Sequence, residues 1–227
     1  MMGLGDLMDY SYLQTLHITA GAVGLISGSV ALAASKGDAV HRFAGKVFVT
    51  AMLIMAGSVL VLAPFKGAWQ SFLEGAVVLY LVSTSFAAIT GRDRKVGRIE
   101  AVAFLIALSL AVGGFLLASW AAANSNGLDG YRPEVFASFA AIAMFAALMD
   151  ITVIIRTKLV GVDRIARHLW RMGLALTIAA TALFDQRPGF FPETFTEAGF
   201  LMVPAILALS ATLYWVVRVR LTNLFKD

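Results

Sequence analysis

The sequence predicts an all-α polytopic membrane protein: one transmembrane helical domain of seven helices over residues 1–227, with the N-terminus outside and the C-terminus cytoplasmic. Three observations carry this expectation. The chain is 59% hydrophobic and only 14% charged, whereas a soluble domain carries about 25% charged residues, so there is too little charge to cover a water-facing surface. Seven apolar stretches are long enough to cross a bilayer, which takes about 20 residues for about 30 Å of hydrocarbon. The basic residues are also strongly segregated between the two ends of those stretches.

The predicted spans are residues 13–34, 43–64, 71–89, 99–122, 133–155, 165–184 and 198–217. The first contains Gly24 and Gly28, a GxxxG that predicts a close helix–helix contact. Pro64 and Pro133 mark span ends, where a missing N–H costs least, and Pro204 inside the last span predicts a kink. Met and Phe fill much of the remainder as packing or lipid contacts. Before the first span, residues 1–14 hold Asp6 and Asp9 and no Lys or Arg. The positive n-region of a signal peptide is missing, so the first span is expected to persist as a helix.

Orientation follows from the basic residues. Of the 18 Lys and Arg, only Lys66, Arg132 and Arg187 fall on one side of the spans, and the other fifteen fall on the opposite side. The positive-inside rule makes the rich side cytoplasmic. The net charge of +4 is thereby explained by orientation, and nucleic acid is not an expected partner. The expected surroundings are the lipid bilayer of a cell membrane, in character a bacterial inner membrane.

Several chemistries are excluded by the residues themselves. The absence of cysteine removes disulfides, thiolate metal sites, iron–sulfur clusters and covalent CxxCH haem attachment. No Gly-rich phosphate loop, HExxH or GxSxG occurs, and the last span has no lysine for a retinal Schiff base. The longest connection, residues 185–197, is too short for a nucleotide-binding domain. Any activity must therefore reside in the bundle or at its faces.

Ionisable residues inside spans are costly and mark candidate sites. The richer group lies near the cytoplasmic face: His41 and Arg42, Asp150 about 7 Å from the inner end of its span at 1.5 Å per residue, and Arg164, Arg167, His168 and Arg171. Arg164, His168 and Arg171 share one helical face by spacing, so Asp150 is expected to meet Arg171 or His168 and lower its burial cost. His41 and His168, 127 residues apart, each open a helix with an aromatic residue two positions on, which hints at a repeated helix pair. Three readings stay open. The group is a packing ion pair with anchoring cations. It is a basic pocket for an anionic lipid head group or phosphorylated small molecule, where Arg suits bidentate phosphate contact. Or His41 and His168 hold a b-type haem or a metal, with Asp150 beside them. The second group, His17, Glu74 and Asp185, lies near the outer face and reads as a hydrated rim or as an ion or proton entry.

Several of these stretches carry a resemblance. Leu16-His17-Ile18-Thr19-Ala20-Gly21, then Lys36-Gly37, His41-Arg42 and Gly45-Lys46, with Tyr80-Leu81-Val82-Ser83-Thr84 and above all Arg167-His168-Leu169-Trp170-Arg171-Met172, resemble the DUF2306 family of predicted bacterial membrane proteins. Asp150 matches an acidic position of that family, and Phe191-Pro192 and Tyr214-Trp215 with Arg218 and Arg220 are similar to its closing segment. Phe184-Asp185-Gln186 departs from the pattern, which has Gly before the Gln. The resemblance spans residues 16–220 and implies a multi-helix bundle of undefined activity; it implies no substrate, cofactor or reaction.

The reading preferred from the residues is a binding protein, with transport as an extension, for a small anionic ligand or lipid head group at the cytoplasmic face. A membrane redox protein carrying haem or a metal is the alternative, and a structural subunit packing against membrane-complex partners is a third. Enzymatic activity is left open. The charge asymmetry predicts that reporter fusions in residues 36–42, 92–98 and 156–164, and after Asp227, read out as cytoplasmic; a fusion after Asp227 that reports from the outer compartment overturns the orientation.

Overall fold

The computed structural model describes residues 11–90, 96–156, 161–184 and 200–222. These form seven α-helices: α1 (Ser11–Ala33), α2 (Ala39–Lys66), α3 (Trp69–Thr90), α4 (Arg98–Ala122), α5 (Pro133–Arg156), α6 (Gly161–Phe184) and α7 (Val203–Leu221), the last entered through a 3-10 turn at Phe200–Met202. Among the described residues there is no strand, only an isolated bridge between Leu128 and Tyr131. Helices satisfy their own backbone groups, as hydrocarbon requires.

Six of the seven are long and apolar enough to cross a membrane: α1 to α5, and α7 with its preceding turn. The expected span 165–184 forms as α6, but its first three turns carry Asp163, Arg164, Arg167, His168 and Arg171, and it is not among those six. Exposed large apolar side chains on the other helices, such as Ile26, Val61, Leu105, Leu116, Leu148 and Leu207, fit a lipid surrounding, where they cost nothing.

The helix ends correct several expectations. α2 does not stop at Pro64 but runs to Lys66. Its stop signal is Gly67, at φ +62°: Gly67 N–H donates to Pro64 O at 3.3 Å and Ala68 N–H to Ala63 O at 2.9 Å, the paired bonds of a Schellman ending. Pro204 does not kink the last helix. It sits in the first turn of α7, where its missing N–H would have had no intrahelical partner. α6 begins at Gly161, so His168 lies two turns inside it, whereas His41 lies in the first turn of α2; the two histidines do not open their helices alike. At the start of α2, Asp38 Oδ1 accepts the His41 N–H at 2.7 Å, an N-cap.

The chain packs as two compact units. The first combines α1 up to Thr19, Leu53–Tyr80, α4 and α5. Its α4 and α5 pack on each other through small residues: Ala103, Ala107, Ala111, Gly114 and Ala118 of α4 are buried, as are Ala140, Ala143 and Ala147 of α5. A Cβ on Gly114 would come within 2.9 Å of the Ala140 Cβ. Small residues allow this approach, and dispersion is the main reward for helix contact where lipid is as apolar as the side chains.

The second unit combines Ala20–Met52, α3 from Leu81 onward, α6 and α7. The GxxxG of α1 does make the close contact its spacing predicts. A Cβ on Gly24 would lie 3.0 Å from Met52 Sδ, and one on Gly28 would lie 2.8 Å from both Phe48 and Leu176. A third close approach was not visible as a motif: Gly173 of α6 lies against Thr212 of α7, within the space a Cβ would fill.

Candidate functional site

In the second unit, α1, α2, α3, α6 and α7 enclose a cavity of about 450 Å³, inside the range of about 300–1,000 Å³ usual for small-ligand sites. Its deep lining is apolar and buried: Ala31 and Gly28 from α1, Phe48 and Val49 from α2, Gly173 and Leu176 from α6, and Val219 from α7. Thr212 is also buried there, but its hydroxyl donates to Ala208 O at 2.7 Å within α7, so it presents no free donor. Polar groups enter the lining from the α1–α2 turn and the start of α2, as Lys36, His41, Arg42 and Lys46, and from α6 as His168.

Each of these is set by local structure. Gly37, at φ +85°, turns the chain between α1 and α2 in a conformation that favours glycine. Lys36 then folds back to cap α1: its Nζ donates to Ala31 O at 3.3 Å and Ala34 O at 3.1 Å, also to Leu32 O, and lies 4.6 Å from the Trp215 ring centre. A cation at a helix C-terminus meets the negative end of the dipole. Burial lowers the Lys36 pKa, and the Asp38 carboxylate opposes that shift. Lys36 is therefore a structural cation, already engaged. Arg42 spends one N–H on Gly37 O, and as a guanidinium it has four others. Arg42 and Lys46 are exposed.

The two histidines have a defined tautomer. His41 Nδ1 lies 2.9 Å from Ala31 O. A carbonyl only accepts, so Nδ1 carries a proton, and in the neutral ring Nε2 is the nitrogen with the lone pair. Ser85 donates its hydroxyl to His168 O at 3.0 Å, so its oxygen is left to accept from His168 Nδ1, also at 3.0 Å. In the neutral ring His168 Nε2 is likewise the acceptor nitrogen. His168 is half-buried because one side opens on the cavity.

The residues expected from the sequence divide. His41, Arg42 and His168 line the cavity; Arg164, Arg167 and Arg171 belong to the same unit but do not line it. Arg171 is fully buried and lies 5.0 Å from the Trp170 ring. Asp150 is a residue of the first unit, fully buried, where the phenol of Tyr80 donates to its carboxylate. Tyr80 and Ser85 are partners that residue spacing did not name. Each lies on the buried face of α3, a helix without charge in its last four turns, so no electrostatic pattern pointed to it.

Comparisons with family models, curated proteins and solved structures find no match. The site is therefore read from its geometry alone. Lys36, Lys46 and Trp215 join it on that ground; none of the three was among the candidate site residues read from the sequence.

Two of the outer candidates, His17 and Glu74, lie in the first unit and are locally satisfied. His17 Nδ1 lies 2.9 Å from Met55 O and 3.2 Å from Ser58 Oγ. Glu74 accepts from Gln70 Nε2 at 2.8 Å, and the Gln70 backbone N–H donates to Asp129 at 3.1 Å. Asp185 lies outside the described residues. Among the described residues no three His, Cys, Asp or Glu side chains group as a metal site.

Two glycines of the cavity lining have opposite surroundings, which yields a paired prediction. A Cβ on Gly45 would meet nothing within 4 Å, whereas one on Gly173 would collide with the short, branched Thr212 side chain. Gly45→Ala is expected to leave thermal stability unchanged or raise it by up to about 1 kcal/mol. Gly173→Ala is expected to cost about 1–3 kcal/mol, as overpacking does. Equal melting temperatures in detergent for the two variants count against the α6–α7 contact.

Proposed function

We propose that this multi-pass membrane protein binds an anionic ligand, a small molecule or a lipid head group, in the cavity of the second unit, at what the charge asymmetry makes the cytoplasmic face of a cell membrane. The observation that carries the reading is the composition of the lining: apolar walls around about 450 Å³, with Arg42, Lys46 and His41 among the lining residues. An apolar body is favoured by burial at about 25 cal/mol per Å². An anionic head is favoured by charge-assisted bonds to Arg42 and Lys46. Transport is the extension of this reading in which the ligand leaves by another route. The resemblance to the DUF2306 family is retained with it, because His41, Arg42 and His168 belong to the resembling stretches.

The test is binding of a fluorescent long-chain fatty acid to the purified protein in detergent. Arg42→Glu combined with Lys46→Glu should weaken binding at least tenfold, since each charged hydrogen bond contributes about 1.5–3 kcal/mol. A neutral alcohol of the same chain length should bind more weakly than the acid. Equal affinity of wild type and the double variant for the acid argues against an anion site.

One observation favours a second reading, a b-type haem or metal centre. His41 and His168 line the same cavity, and each holds its Nδ1 proton against a protein oxygen. In the neutral rings that arrangement would leave Nε2 as the ligating nitrogen, as in histidine ligands oriented by an outer hydrogen bond. Arg42 and Lys46 would then face the propionates. The absorption spectrum of the purified protein decides: a Soret band that disappears in both His41→Ala and His168→Ala supports a haem, and a colourless preparation loaded with haemin that gains no such band removes it.

A further inference from the structure

We propose that the occupant of the cavity is an acyl chain of an anionic membrane phospholipid, entering sideways from the bilayer between the start of α2 and the end of α3. This rests on the binding reading above and names the ligand class and its route.

The argument begins with which lining residues are exposed. At the start of α2 they are Arg42 and Lys46; at the end of α3 they are Phe86, Ile89 and Thr90. The opening thus has a basic edge and an apolar edge. Phe86 and Ile89 are 41% and 38% exposed, and Val40 and Phe43, flanking Arg42 on α2, are 54% and 72% exposed. An entrance from water lined by such side chains would leave large apolar surface hydrated, which is unfavourable in proportion to area. At the boundary of a bilayer the same residues sit in acyl chains. Arg42 and Lys46 can then extend to the head groups, as long cationic side chains do near helix ends.

The depth of the cavity selects the chain rather than the head. Beyond the basic edge, Lys36 is held by the carbonyls of α1 and Trp215, and Thr212 is bonded within α7. The deep wall, with Phe48, Leu176 and Val219, is apolar. A phosphate carried past Arg42 and Lys46 would be stripped of water with few donors to meet it, which is strongly unfavourable. A chain anchored by its head group at those two residues meets no such cost, and each basic side chain adds attraction to an anionic surface.

The test uses Trp215, which lines the cavity. The full chain and its Trp215→Phe variant are reconstituted in phosphatidylcholine vesicles containing increasing fractions of mid-chain brominated phosphatidylglycerol or brominated phosphatidylcholine. The difference between the two proteins isolates the Trp215 fluorescence. Brominated phosphatidylglycerol should half-quench Trp215 at a mole fraction at least fivefold lower than brominated phosphatidylcholine. Gly45→Leu, which puts bulk where nothing lies within 4 Å, should reduce that preference to near one by filling the cavity. Arg42→Glu with Lys46→Glu should do so by repelling the head group. Identical quenching curves for the two lipids in the wild type overturn the proposal, as does a preference that survives both variants. If millimolar glycerol phosphate or inorganic phosphate at constant ionic strength abolishes the preference, the ligand is a soluble anion and the lipid assignment fails. Fatty-acid binding in detergent that persists while the quenching preference is absent leaves the anion site standing and removes only the phospholipid route.

Discussion

The second unit depends on how closely its helices approach at two glycines. Gly28 of α1 lies against Phe48 and Leu176, and Gly173 of α6 lies against Thr212, each with less room than a methyl group needs. In hydrocarbon there is no hydrophobic force between helices, so close van der Waals contact must do the joining. Both glycines also line the cavity. The contacts that hold the helices together are therefore the same ones that close its deep end. A side chain at either position would act on the packing and on the cavity at once.

Around that contact the polar residues serve two different ends. Lys36 and Asp38 finish one helix and start the next, Lys36 on the carbonyls of α1 and Asp38 on the first turn of α2. His41 ties back to α1 through Ala31 O, and His168 ties to α3 through Ser85. These bonds consume donors that a ligand would otherwise use, and they hold the side chains of the lining in place. Arg42 and Lys46 keep exposed charge. A site built this way has its orientation fixed from behind and its charge presented at the edge, the division of labour expected of a preorganised pocket.

The first unit organises its polar residues in local partnerships. Buried Asp150 pairs with the Tyr80 phenol, half-buried His17 with Ser58 and the Met55 carbonyl, and half-buried Glu74 with Gln70. A buried carboxylate needs such a partner, because leaving it unsatisfied costs more than the bond itself contributes. Tyr80 meets that need from the last residue of α3 assigned to this unit. In the same unit the small-residue faces of α4 and α5 pack tightly on each other.

The sequence by itself determined the all-helical class, six apolar helices of membrane-spanning length among the described residues, and the close contact at Gly24 and Gly28. All three follow from local quantities: apolar length, charge content and a four-residue spacing. It also singled out His41, Arg42 and His168, since charge and imidazole within apolar stretches are conspicuous. Helix ends were less legible, because Pro64 and Pro204 signal only a missing donor, while the stop at Gly67 depends on a left-handed turn that closes two specific carbonyls. Only the tertiary structure decided which of the cationic residues share a cavity. Arg164, Arg167 and Arg171 look equivalent to His168 along α6, and Arg164 and Arg171 share its helical face by spacing, yet of the four His168 alone lines the cavity and Arg171 is fully buried outside it, because the helices packed around α6 cover positions one turn apart differently. Ser85, Thr212 and Trp215 are ordinary residues of apolar helices until α3, α6 and α7 bring them against His168, Gly173 and Lys36. Contacts between residues far apart in the chain leave no periodic trace along it, and these contacts define the site.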